Sequence, residues 1–242
     1  MKEQGTRNIG RRIGIILLAL ALSICTSSAS VYAAGYDGEE AARAARNNAE
    51  LRRDGWLDMR SYGGYDCTNF VSHCLRAGGL VQHLPGGGAP KKKAYTTTDY
   101  WYLAKKGTAD AWSTSWSVVP DLREYMNGFG FSDSNGKASV TRYIFQDSAS
   151  GDRAFRSMLR GLKLGDVIQL NENPNVHGHS VIVTREVGNA KSGEEEFALK
   201  YSAHNNDRLN ESIKTLWIQA KSDCRVRGLS GYYSVYVISM RR

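Results

Sequence analysis

Between Lys163 and Met240 the chain carries four short segments of strand character: KLGDVIQL, HSVIVTREV, FALKYSAH and YYSVYVISM. They are rich in β-branched and aromatic residues, which pack well on a pleated surface. Polar, glycine-bearing stretches at 171–178 and 188–193 separate them and read as turns. The first half of the chain has a different periodicity. Asp37 to Asp54 reads as a helix, with Asp37 as its cap and Glu39 and Glu40 at its positive end. Thr68 to Ala77 sets Phe70, Val71, Cys74 and Leu75 on one stripe, and Gly78-Gly79 is a natural stop. Residues 85–99 read as loop. Val119 to Asn127 predicts a short helix with Pro120 in its first turn. Helices followed by antiparallel strands predict an α+β fold.

The first 33 residues stand apart. Lys2, Arg7, Arg11 and Arg12 precede the apolar run Ile13 to Ile24, and Val31-Tyr32-Ala33 offers small residues at the −3 and −1 positions of a cleavage site. This is the pattern of a secretory signal. The apolar run is short of the roughly 20 residues that span a bilayer, so membrane contact is expected only before cleavage. Residues 1–33 are therefore expected to be a signal peptide and 34–242 a single domain, exported to the cell exterior or the wall. The segment holds four basic residues and one acidic one, so the net charge of +8 becomes +5 without it. A mildly basic protein suits anionic polymers. No basic block interleaved with aromatics argues for nucleic acid.

Three cysteines lie beyond that segment: Cys67, Cys74 and Cys224. Seven residues along one helix separate two Cα atoms by about 10.5 Å. A disulfide needs less than about 7 Å, so Cys67 and Cys74 cannot bridge within a helix. Cys74 either pairs with Cys224 or both are buried thiols. Cys67 is left as the odd thiol, in the stretch YDCTNFVSHCLRAGG, where a helix begins. The positive end of a helix dipole is expected to lower its pKa and favour the nucleophilic thiolate.

A thiol nucleophile needs a base held by a third group, and histidine is the usual choice. Of five histidines, His73 is expected to face away from Cys67 on the same helix, and His83 precedes a loop. His179 opens a strand and His204 ends the next, so the two can lie side by side across an antiparallel pair. His177-Gly178-His179 with Cys67 or His204 is also a conceivable zinc set. No second local Cys/His pair supports it, and no metal or other cofactor is expected. Trp101, Trp112 and Trp116 have two readings, a sugar-binding groove or core.

YDCTNFVSHCLRAGG, LGDVIQL, HSVIVT and YSAHNNDRLN, in this order, closely resemble the secreted bacterial "putative amidase domain" family. That family looks like a branch of the papain-like cysteine hydrolases, beside the NlpC-type and CHAP cell-wall enzymes. The resemblance runs from about Tyr36 to Met240. It implies a papain-like fold in which N-terminal helices, one bearing the nucleophile, pack on a C-terminal antiparallel sheet. It implies Cys67 as nucleophile, His179 as base and His204 as the third catalytic residue, with Asn205 and Asn206 as alternatives. The backbone N–H of Cys67 and the Asn69 side chain are candidates for an oxyanion hole. Tyr65 and Asp66 flank the cleft, with Asp66 expected to serve as a cap or turn residue.

The implied activity is cysteine-dependent hydrolysis of amide bonds through a thioester, in peptidoglycan or another peptide substrate, by a monomer. Two alternatives stand beside it. One is a catalytically inactive wall- or ligand-binding module of the same fold. The other is an amidase or peptidase acting on non-wall proteins.

Overall fold

The computed structural model describes residues 35–51, 56–89, 94–106, 109–128, 137–146, 149–171, 178–188, 194, 198–205, 207–226 and 232–241. The chain divides into two units, Met1–Tyr32 and Ala33–Arg242, and all that follows concerns the second. The predicted signal segment lies outside the described residues, as do His177 and Asn206.

The elements in chain order are α1 (Gly38–Asn48), a 3-10 turn (Met59–Tyr62), α2 (Cys67–Ala77), β1 (Ala94–Tyr95), β2 (Leu103–Lys106), β3 (Ala109–Ser113), one helical turn (Thr114–Ser117), α3 (Val119–Met126), β4 (Lys137–Gln146), α4 (Ala149–Gly161), β5 (Val167–Asn171), β6 (His179–Arg185), β7 (Lys200–Ala203), β8 (Arg208–Ser212), α5 (Ile213–Val226) and β9 (Tyr232–Arg241). The main sheet has the order β4-β9-β5-β6-β7-β8, and its pairings are antiparallel. A small sheet, β1-β3-β2, forms where the sequence reads as loop and aromatic cluster.

Alternation along the central strands feeds two cores. Val167, Ile182 and Ile238 face α1, α2 and α3. Their neighbours Ile168, Val181 and Val237 face α4 and α5. A strand buried on both faces reads as a continuous apolar run, which VIQL and SVIV are apart from Gln169 and Ser180. The α+β order is as expected, but helices cover both faces of the sheet. The second layer was legible. Phe155, Met158, Leu159 and Leu162 are spaced i, i+3, i+4, i+7, and Ile213, Leu216 and Trp217 repeat the start of that pattern.

Phe70, Val71, Cys74 and Leu75 are fully buried on α2, as the stripe predicts. Each large apolar side chain so placed stabilises by about 1.5–3 kcal/mol. Gly78 ends α2 where a Cβ would meet Asp37 O at 2.7 Å, so the end of α2 can approach the start of α1. Asp37 caps α1 as expected, accepting from the N–H groups of Glu39 and Glu40 at 2.9 and 3.2 Å. The helix stops at Asn48, short of the predicted Asp54. Its terminal carbonyl instead accepts from His204 Nε2 at 2.9 Å.

The tryptophans are core. Trp101 and Trp116 are fully buried 4.7 Å apart, with indole N–H groups donating to Ser72 and Asn69, and Trp112 is buried beside them. The groove reading is thereby corrected. Cys74 is a free, buried thiol, and the side chain of Cys224 lies outside the described residues.

Candidate active site

Cys67 is the first residue of α2, and Asp66 holds the cap position. An aspartate there ordinarily accepts from the first-turn N–H groups. Asp66 makes no such bond. Its carboxylate turns back instead. Oδ1 accepts from Met59 N–H at 2.9 Å and from Asn69 Nδ2 at 2.9 Å, and Oδ2 meets His204 Nδ1 at 2.6 Å. Burial alone would push the Asp66 carboxyl up, but these hydrogen bonds hold it below its ordinary value. Asp66 N–H donates to Asn205 Oδ1 at 2.6 Å, from an asparagine in the left-handed region at φ 92°. The helix therefore opens with N-terminal amides that its own cap residue leaves uncovered, around the cysteine.

Cys67 is 2% exposed. Its sulfur lies 3.9 Å from Thr68 Oγ1 and within hydrogen-bond reach of the Ser180 backbone N–H. Burial pushes the thiol up, and those hydrogen bonds only partly offset it; the neighbouring Asp66 charge adds to the rise. The expectation of a lowered pKa is corrected: desolvation outweighs the hydrogen bonds that favour the thiolate in the resting site.

The contact with Ser180 brings the start of β6, where His179 is the first residue, to the cysteine. Burial lowers His179 to about 4, and the charge of Arg208 adds to the effect, so the ring is neutral at physiological pH. Ser180 is the side chain that the pleat turns toward α2. Its hydroxyl is 3.1 Å from Thr68 Oγ1 and accepts from Gln169 Nε2 at 3.2 Å. His179 pairs with Leu170, whose side chain belongs to the opposite core. Gly178 lets this strand start close to α3, since a Cβ would meet Leu170 O at 2.7 Å and Val119 Cγ1 at 2.9 Å.

His204 does not orient His179. Counting outward from the Ile182–Ser202 pair sets His204 opposite Ser180, one residue from the expected partner, and a one-residue step changes the face. Both ring nitrogens are engaged, with Asp66 and with Asn48 O, and the ring stacks on Phe70 at 4.0 Å. His204 thus locks the turn before Cys67 to the end of α1.

Asn69 is likewise spent on structure. Its amide donates to Leu57 O and Asp66 and accepts from the Trp116 indole, which leaves no N–H for an oxyanion. Tyr65 is 60% exposed beside the site. Asn205 supports Asp66 as described, and Asn206 lies outside the described residues. Among the described residues, no group of three or more His, Cys, Asp or Glu side chains is placed to hold a metal. Sequence reasoning missed Ser180 and Gln169. The available signal was a polar residue in each of two otherwise apolar central strands.

A family model described as "Putative amidase domain" matches residues 26–227. No curated protein and no solved structure matches the chain.

Proposed function

The chain belongs to the "Putative amidase domain" family, and from that premise we propose that it is a cysteine hydrolase of papain-like type with Cys67 as nucleophile and His179 as base; register sets the His179 side chain on the Leu170 face, away from α2, so as the first residue of β6 it meets the sulfur by turning round the end of the strand. The single observation that carries this reading is the packing of the head of α2 on the head of β6: the hydroxyl of Thr68, next to Cys67, lies 3.1 Å from that of Ser180, next to His179. A raised thiol and a lowered imidazole make the resting pair neutral, so proton transfer accompanies attack.

Cys67 Sγ attacks the amide carbonyl carbon while His179 takes the thiol proton. The tetrahedral oxyanion meets the first-turn N–H groups of α2, which Asp66 leaves uncapped. Collapse breaks the C–N bond, and His179 gives its proton to the leaving amine. Water then attacks the thioester, delivers a proton through His179 back to sulfur and releases the acid. Asp66 and His204 act as positioning residues by fixing the turn before Cys67. The predicted export segment, the basic balance and the likeness to cell-wall enzymes support peptidoglycan amides as substrate.

The test is release of new amine ends from purified peptidoglycan fragments, run beside an unstructured protein substrate. Wild type is expected to release amines from the fragments and Cys67→Ala none. Equal release by the two proteins refutes the reading, and release from the protein substrate alone reassigns the target. The 2% exposure of Cys67 specifically favours one second reading, a binding module without turnover. Binding of fragments without release supports that alternative.

A further inference from the structure

We propose that a second site on the same sheet face, built from Arg123, Arg142 and Tyr236, binds a carboxylate of the substrate. The proposal rests on the hydrolase reading above and adds the chemical class it selects.

Arg123, Arg142 and Tyr236 line a pocket of about 360 Å³ between α3 and strands β4 and β9. Both guanidinium carbons lie over the Tyr236 ring, at 4.0 and 5.9 Å. None of the ion pairs among the described residues involves either arginine. Arg142 spends Nε and Nη2 on Ser234 Oγ, while Arg123 Nη1 is buried with no hydrogen-bond partner. Two like charges against one ring and a buried unsatisfied donor cost free energy unless an anion fills the gap. Glu124, exposed on the rim, offsets only part of this charge. A planar carboxylate matches the guanidinium fork.

Register ties this pocket to Cys67. Arg142 pairs with Tyr236, Tyr236 with Gln169, and Gln169 with Ser180, whose hydroxyl lies 3.1 Å from that of Thr68, the residue next to Cys67. Directly opposed residues share a face, so the four form one row across the sheet. Gln169, in the middle of the row, is fully buried, so the row fixes the distance between the pocket and Cys67 and is not itself a path for substrate. Strands lie about 4.8 Å apart, which sets Tyr236 about 10 Å and Arg142 about 14 Å from Ser180. An extended peptide covers that span in about three to four residues. Val119, one helical turn before Arg123 on α3, packs against the Gly178 that precedes His179. Both ends of the row are thus held by the same helix.

The probes are alanine-rich peptides with one glutamate placed at successive positions from the scissile amide, each with a glutamine counterpart. Binding is read by calorimetry on Cys67→Ala protein and turnover on wild type, with inorganic phosphate as a competing anion. Glutamate three to four residues from the amide is expected to lower Kd and KM by about tenfold or more relative to glutamine. That gap should vanish in Arg123→Gln and narrow in Arg123→Lys. Equal binding of the two peptides, persistence of the gap in both Arg123→Gln and Arg142→Gln, or tighter binding of phosphate than of the glutamate peptide overturns the proposal. Arg142 is exposed, so its substitution carries the test if Arg123→Gln does not fold. Failure of turnover with the binding gap intact refutes the hydrolase reading and leaves the anion site standing.

Discussion

Replacing Asp66 with asparagine separates the two roles open to His204. The Asp66 carboxylate is 1% exposed and accepts from Met59 N–H, Asn69 Nδ2 and His204 Nδ1, all within 2.9 Å. Asparagine keeps the shape and one acceptor oxygen. It loses the charge and sets an amide N–H₂ toward one of the three donors. A hydrogen bond to a charged group contributes about 1.5–3 kcal/mol, so Asp66→Asn should lose about that amount. Asp66→Ala strands all three donors and breaks a buried pair, for about 3–5 kcal/mol. Against a total stability of about 5–15 kcal/mol, the alanine variant is close to unfolding, so asparagine is the informative change. Urea melts followed by fluorescence of the buried tryptophans read the loss. If the pair is a lock, His204→Ala in the Asp66→Asn background should cost less than it does alone. Hydrolysis at saturating substrate should fall only modestly in the folded fraction. An unchanged urea midpoint with activity abolished would refute the positioning role and restore His204 to the chemistry.

Because His179 is held to about 4, the acid limb of kcat/KM should lie well below the ordinary imidazole value of 6.5; a limb at 6.5 in the pH–rate profile removes His179 as the base. His73 is lowered from 6.5 to about 3 by burial, so its contribution to stability is present above pH 6.5 and is lost as pH falls toward 3, by up to about 1.4 kcal/mol per pH unit. Urea midpoints between pH 7 and 4 should therefore fall less steeply in His73→Leu than in wild type. Asp166 runs the other way: raised from 3.8 to about 6 by burial, its contribution is present below pH 3.8 and lost as pH rises through 6. Asp166→Asn should then show its most favourable relative stability near pH 8, and a thermal melt at pH 4 and pH 8 checks the sign. Gly178→Ala forces a Cβ within 2.7 Å of Leu170 O, so it should cost about 1–3 kcal/mol in urea and slow hydrolysis by moving the start of β6.

Much of this molecule is local and therefore legible in the chain. The stripe Phe70, Val71, Cys74, Leu75 with its Gly-Gly stop names α2 and puts Cys67 at its head. Asp37 with Glu39 and Glu40 names the start of α1, and the β-branched runs name the central strands. Periodicity and capping act over a few residues, so sequence alone determines them. The roles of Asp66, Asn69 and His204 depend on partners far apart in the chain, and only the tertiary structure decided those. An aspartate at a cap position reads as a cap, yet packing of α1, α2 and β7 brings it a histidine 138 residues away. A helix head reads as a thiolate site, yet close packing desolvates Cys67 and reverses the sign of its shift. Register, which no local pattern reports, chose Ser180 over His179 as the neighbour of His204. It also aligned Arg142 and Tyr236 with the cysteine across the sheet.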